Sequence, residues 1–244
     1  MATVTLARPE VRNAMSPGMW RGLADIGRSL PPDVRVVLVC GEGRSFSAGL
    51  DLRLLSGETI PGDADAGAER IPSPADPGFE DWIATYQEGF AWLRHPRFVS
   101  VAVVQGHAIG AGFQLALGCD LRVVADDAVF CMKEPTLGLV PDLMGTKPLV
   151  DIVGLPRAIE ICLTGRMVTA KEAAELRLAE IVVPAAELNA SAADLAAALL
   201  GIDPATAAAT KELLMGASGR TLAQQAAAER RTQAALLRSR LPQT

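Results

Sequence analysis

Apolar positions along the chain fall into two kinds of spacing. Residues 34–40 (Val-Arg-Val-Val-Leu-Val-Cys) and 99–104 (Val-Ser-Val-Ala-Val-Val) are nearly continuous apolar runs of strand length. Runs of this kind suit strands buried on both faces, as in parallel sheets. Residues 2–6 can form another strand. Between them Met19, Trp20, Leu23, Ile26 and Leu30 recur at helical spacing. Ser16 is placed as the N-cap of that helix, Pro17 takes its first position, and Pro31-Pro32 ends it. A second helix carries Trp82, Ile83, Tyr86, Phe90 and Leu93 on one side. Further on, 106–112 reads as a glycine-bearing turn and 113–117 as the start of a helix. Residues 121–125 and 129–132 read as short strands split by an Asp126-Asp127 turn. Strands separated by helices predict parallel pairing and an α/β fold.

Residues 56–80 differ in kind. They hold four glycines, four prolines and six acidic residues against a single arginine, so they read as a mobile surface loop rather than core. The last third is helical. Thr169-Ala-Lys-Glu172 has the form of a capping box, and Asp203-Pro204 opens another helix. From residue 185 onward 19 of 60 residues are alanine, which suits closely packed helices, including packing against another subunit. No linker separates these parts. The expected organisation is a core over 1–184 and a helical region over 185–244 within one folding unit.

Composition narrows the partners. The net charge of −5, with no long run of either sign, argues against a broad nucleic-acid face. No apolar run reaches the roughly 20 residues of a membrane span, and the first residues lack a basic-then-apolar leader. Cys40, Cys119, Cys131 and Cys162 are far apart and form no CxxC, so reduced buried thiols in a cytoplasmic protein are expected and no metal site is.

Two glycine-bearing turns follow strands: Ser45-Phe-Ser-Ala-Gly-Leu-Asp-Leu52 and Gly106-His-Ala-Ile-Gly-Ala-Gly112. Glycine lets backbone N–H groups face a ligand, and the second turn also opens a helix. Together they could aim two donors at one oxygen, an oxyanion hole; each alone reads first as a tight turn with packing glycines. Neither is a phosphate loop or a dinucleotide fingerprint. His95, before a proline, and His107, at a strand end, are poorly placed for a His-dependent base. Glu134 directly follows an apolar strand. A carboxylate there would have a raised pKa and suit a general base, though by spacing alone it also reads as a surface residue.

Taken in order, several runs resemble the crotonase superfamily, the enoyl-CoA hydratase/isomerase group. They are Arg-Pro-Glu-Val-Arg-Asn-Ala at 8–14, Phe-Ser-Ala-Gly-Leu-Asp-Leu at 46–52, Gly-His-Ala-Ile-Gly-Ala-Gly-Phe-Gln-Leu-Ala at 106–116, Cys119-Asp-Leu-Arg-Val123, and Glu134 with Gly138-Leu-Val-Pro141. The resemblance covers residues 4 to 230. It implies a spiral of ββα units with a C-terminal α-helical trimerisation region, assembled as a trimer or dimer of trimers. It implies an acyl-CoA thioester as substrate, with no separate cofactor. The thioester oxygen would meet the backbone N–H groups of Leu50 and Ala111, with Ala48 near the adenine and Arg12 near a CoA phosphate.

Hydratases of the family resemble one another in carrying two glutamates, and here the first position is Gln114 while the second is Glu134. A single glutamate looks like the Δ3,Δ2-enoyl-CoA isomerases, in which one carboxylate moves a proton between two carbons. A hydratase with Gln114 holding the water, another crotonase reaction such as thioester hydrolysis, and a non-catalytic acyl-CoA binding protein are the alternatives. In the last case Glu134 would turn to solvent or pair with Lys133 or Lys147. Many members also carry a further C-terminal helix over the CoA, which leaves tail contacts to the ligand open here.

Overall fold

The computed structural model describes residues 1–61 and 75–241. The chain runs β1 (Ala2–Leu6), α1 (Pro17–Ser29), β2 (Val36–Gly41), α2 (Arg53–Ser56), α3 (Phe79–Ala91), β3 (Val99–Val104), β4 (His107–Ile109), α4 (Ala111–Gly118), β5 (Leu121–Ala125) and β6 (Val129–Cys131). It continues through α5 (Thr146–Val153), α6 (Leu155–Thr164), β7 (Val168–Thr169), α7 (Ala170–Glu175), β8 (Ile181–Val183), α8 (Leu188–Leu200), α9 (Pro204–Ala217) and α10 (Leu222–Ser239).

Five strands form one parallel sheet in the order β1-β2-β3-β5-β8, and β4, β6 and β7 form a second. The period of two along a strand sends alternate residues to opposite faces. Val37, Val39, Ala102, Val104 and Val124 point into the main core with Trp20, Leu23, Phe90 and Phe113. Their neighbours Val36, Leu38, Val101, Val103 and Val123 face the other way, against Leu188, Ala192 and Ala196 of α8. Both faces are covered, which is why these strands read as unbroken apolar runs.

Ser16 caps α1, its Oγ accepting from the Met19 N–H, and Asp203 caps α9 in the same way through Thr206. Elsewhere the structure differs from the sequence reading. The expected turn at 106–112 contains β4, whose three residues pair in parallel with β6. Thr169 does cap α7, but Glu172 turns away from the N-cap to pair with Arg166, which Glu160 also contacts. A guanidinium between two carboxylates outcompetes a single backbone N–H. Ile26, one of the apolar positions at helical spacing along α1, is exposed. Most of the proposed loop at 56–80 lies outside the described residues.

Candidate active site

The turn after β2 is wedged between residues 12–15 and β4. Ser47 N–H donates to the His107 carbonyl at 2.8 Å, Ile109 N–H returns to the Ser47 carbonyl at 3.0 Å, and Met15 N–H donates to the Gly49 carbonyl at 2.6 Å. Asp51 N–H closes the turn on the Met15 carbonyl at 2.8 Å. Gly49 has φ +88°, and a Cβ there would sit 2.5 Å from the Ile109 carbonyl oxygen and 3.6 Å from the Ala111 nitrogen. Only glycine permits this approach. Below the turn, the buried Asp51 carboxylate accepts from Arg53 Nε at 2.8 Å and Nη2 at 2.7 Å, and from Arg8 Nη1 at 3.1 Å. The Arg53 hydrogen bonds hold Asp51 below the usual carboxylate range. Among the described residues, the Leu50 and Ala111 N–H groups find no acceptor. Ala111 opens α4, where an N–H has no intrahelical partner and feels the positive end of the helix dipole.

One turn along α4, Gln114 is 1% exposed. Its Oε1 accepts from the N–H groups of Leu143 at 2.9 Å and Gly145 at 3.2 Å. Two donors on one atom identify it as the oxygen, so Nε2 faces the other way and donates to Glu134 Oε1 at 2.6 Å. Glu134 is 9% exposed and opens the short 3-10 turn that follows β6. Its second oxygen, Oε2, is buried with no hydrogen-bond partner among the described residues. Burial pushes the Glu134 carboxyl above its ordinary pKa; the Gln114 hydrogen bond opposes the rise and the Asp142 charge adds to it. Glu134 forms no ion pair among the described residues, and Lys147 pairs instead with Asp151. This removes the arrangement in which a lysine neutralises the carboxylate.

Arg12 and Ala48 lie together, the Ala48 N–H donating to the Arg12 carbonyl at 2.8 Å. Arg12 is exposed and, like Asn13, has a left-handed backbone, φ 53° and 55°. Asn13 fixes that bend by donating to the Glu42 and Ser45 carbonyls. His107 Nδ1 lies 3.1 Å from the Oγ of buried Ser45, and His95 stacks on Phe98; neither reaches Glu134 through a hydrogen bond. No cluster of three metal-ligating side chains occurs among the described residues. Sequence reasoning missed the 143–145 turn that anchors Gln114. Residue type did not announce it, because the left-handed position of that turn, φ 66°, is held by Met144 rather than by a glycine.

Two unpaired N–H groups on touching turns, beside a buried carboxylate with one free oxygen, can stabilise a negative oxygen and move a nearby proton. That is the class of site defined by fold and geometry. The chain belongs to the enoyl-CoA hydratase/isomerase family, whose model matches residues 1–240. A Bacillus subtilis protein named as an enoyl-CoA hydratase/isomerase is 35% identical over 207 residues, 84% of this chain and 74% of its own. The peroxisomal Delta(3,5)-Delta(2,4)-dienoyl-CoA isomerase of Arabidopsis thaliana is 30% identical over 213 residues, 85% and 74% of the two chains. Among solved structures, a Thermobifida fusca protein described as an enoyl-CoA hydratase, in complex with CoA, is 54% identical with a TM-score of 0.91, covering 97% of this chain and 89% of that one. The α/β fold and the C-terminal helices follow the family's architecture.

Proposed function

We propose that the protein isomerises enoyl-CoA thioesters with Glu134 as its single proton carrier. The Leu50 and Ala111 N–H groups would hold the thioester oxygen and stabilise the enolate. Glu134 Oε2 would take a proton from one carbon and return it to another, with no change in atoms overall. Burial suits this role, because a raised pKa brings the carboxyl nearer the operating pH. The substrate class is supported by the family and by the Thermobifida fusca relative's complex with CoA. Arg12 and Ala48, side by side at the turn, are the proposed CoA contacts.

The observation that carries the reading is the orientation of Gln114. Its oxygen is held by two backbone N–H groups and its amide nitrogen is turned to Glu134. The remaining N–H could only donate to a water, the wrong polarity for activating a nucleophile. Proton shuttling needs no activated water, so this arrangement favours isomerisation over hydration.

The test is turnover of a 3-enoyl-CoA, followed by the absorbance of the conjugated product, beside affinity for the thioester and its free acid. Isomerisation, with tighter binding of the thioester, supports the reading. Faster hydration of a 2-enoyl-CoA makes the protein a hydratase, and binding without turnover makes it an acyl-CoA carrier. Glu134→Gln should lower kcat about 10²–10⁴-fold with thioester binding kept; wild-type kcat in that variant removes Glu134 from the mechanism.

A further inference from the structure

The peptide unit joining Asp142 to Leu143 is held on both sides. Its carbonyl accepts from Gln87 Nε2, on α3, at 2.7 Å, and its N–H donates to Gln114 Oε1 at 2.9 Å. We propose that Gln87 is a positioning residue for the reacting pair: it fixes the plane of this peptide, and through it the Gln114 amide that donates to Glu134. The role in catalysis rests on the reading of Glu134 as the base; the mechanical link does not.

Residues 138–145 belong to no helix or strand. Their backbone is therefore not held by a ladder, and Met144 gives it a left-handed kink between the two N–H groups that hold Gln114. A peptide can rotate about its flanking bonds, and rotating this one would carry the Leu143 N–H away from Gln114. A donor on its carbonyl resists that rotation. Gln87 comes from a helix that also packs on α1, so the restraint is anchored in the main core. Gln87 is only half-buried and lies 55 residues from its acceptor.

The link predicts an effect on Glu134 that loss of packing alone would not produce. If Gln114 loosens, the hydrogen bond that favours the charged carboxylate weakens and the Glu134 midpoint rises further. The groups that bear electrostatically on Glu134 are the Asp142 carboxyl and the Cys131 and Cys162 thiols, with Lys133 adjacent. Asp142 lies on the peptide itself, so any shift carried by its carboxyl would persist in a Gln114→Met background, which separates it from the Gln114 link.

The experiment is carboxyl carbon-13 NMR titration of Glu134, assigned with Glu134→Gln, beside kcat and KM profiles against pH. Gln87→Met keeps length without a donor, Gln87→Glu places an acceptor against the carbonyl, and Gln87→Lys restores a donor. Met and Glu should raise the Glu134 midpoint by roughly 0.5–1 unit and lower kcat about three- to tenfold with KM little changed, while Lys stays near wild type. In a Gln114→Met background the Gln87→Met change should add nothing, because the link is already cut. An unmoved midpoint in Gln87→Met and Gln87→Glu overturns the proposal. So does a shift that persists in full without Gln114. If Glu134→Gln keeps its kcat, the base assignment fails, yet the titration still decides the link.

Discussion

Glu134 Oε1 lies 3.1 Å from the point where a Cβ on Gly110 would project. The carboxylate thus rests on the bare backbone of the turn that opens α4. Gly110 has φ 50° and ψ −118°, a conformation closed to residues with a side chain, and its N–H is held by the Cys131 carbonyl at 2.8 Å. Gly110→Ala should therefore cost about 1–3 kcal/mol of stability and displace the carboxylate. Chemical denaturation and kcat should both show the loss.

Under the proposed mechanism, the acid limb of the rate profile should report the buried carboxyl. In its proposed role as base Glu134 must be ionised, and burial raises its pKa. Activity should fall as pH drops through a midpoint above the usual carboxylate range of about 4.3. A kcat profile that stays flat down to that range would contradict the assignment. Replacing the carboxylate with a neutral amide removes a buried charge whose Oε2 has no partner among the described residues. Glu134→Gln should accordingly raise stability at pH 7 by roughly 0.5–2 kcal/mol, seen as a higher Tm, while activity is lost.

Gln114→Glu tests which reaction the pocket can perform. One new oxygen would accept from Leu143 and Gly145 as the amide oxygen does now. The other would face Glu134 across the present 2.6 Å contact. Two carboxyls so close share a proton, which supplies one acid and one base. Hydration of a 2-enoyl-CoA should rise about tenfold or more, and isomerisation should fall or stay level. Brisk hydration by the wild type, unimproved in the variant, would show Gln114 competent as it stands.

Met144 holds a left-handed conformation between the two N–H groups that grip Gln114. An L-residue with a long side chain is strained there by roughly 1–2 kcal/mol. Met144→Gly should keep the turn and recover part of this strain, offset by the added freedom of the unfolded chain. The expected outcome is a small gain in stability, up to about 1 kcal/mol, read as a higher denaturation midpoint, with kcat unchanged.

Leu155, Ile159 and Leu163 are exposed at spacings of four along α6, and Leu214, Met215 and Leu222 are exposed on the C-terminal helices. The proposed trimer or dimer of trimers would cover such surface, since obligate interfaces bury on the order of 2,000 Å² or more and are apolar. Light scattering at micromolar concentration should give three or six times the 25.6 kDa chain mass; a monomer would refute it.

The sequence by itself determined the features that depend on neighbours along the chain. Continuous valine-rich runs placed β2 and β3 between two covered faces, and Ser16-Pro17 and Asp203-Pro204 set the starts of α1 and α9. It also singled out Glu134 and Gln114 through the order of their motifs. Tertiary structure alone decided what those side chains can do. Gln114 could have offered its oxygen to a water; it gives that oxygen to Leu143, 29 residues away, and its amide to Glu134, 20 residues away. The strand β4 exists because β6 pairs with it, and three residues between glycine-rich ends carry too little pattern to announce that. Local pattern records burial and capping, which are properties of one element. The polarity of a buried hydrogen bond depends on which donors other segments bring to it, and those arrive only when the chain folds.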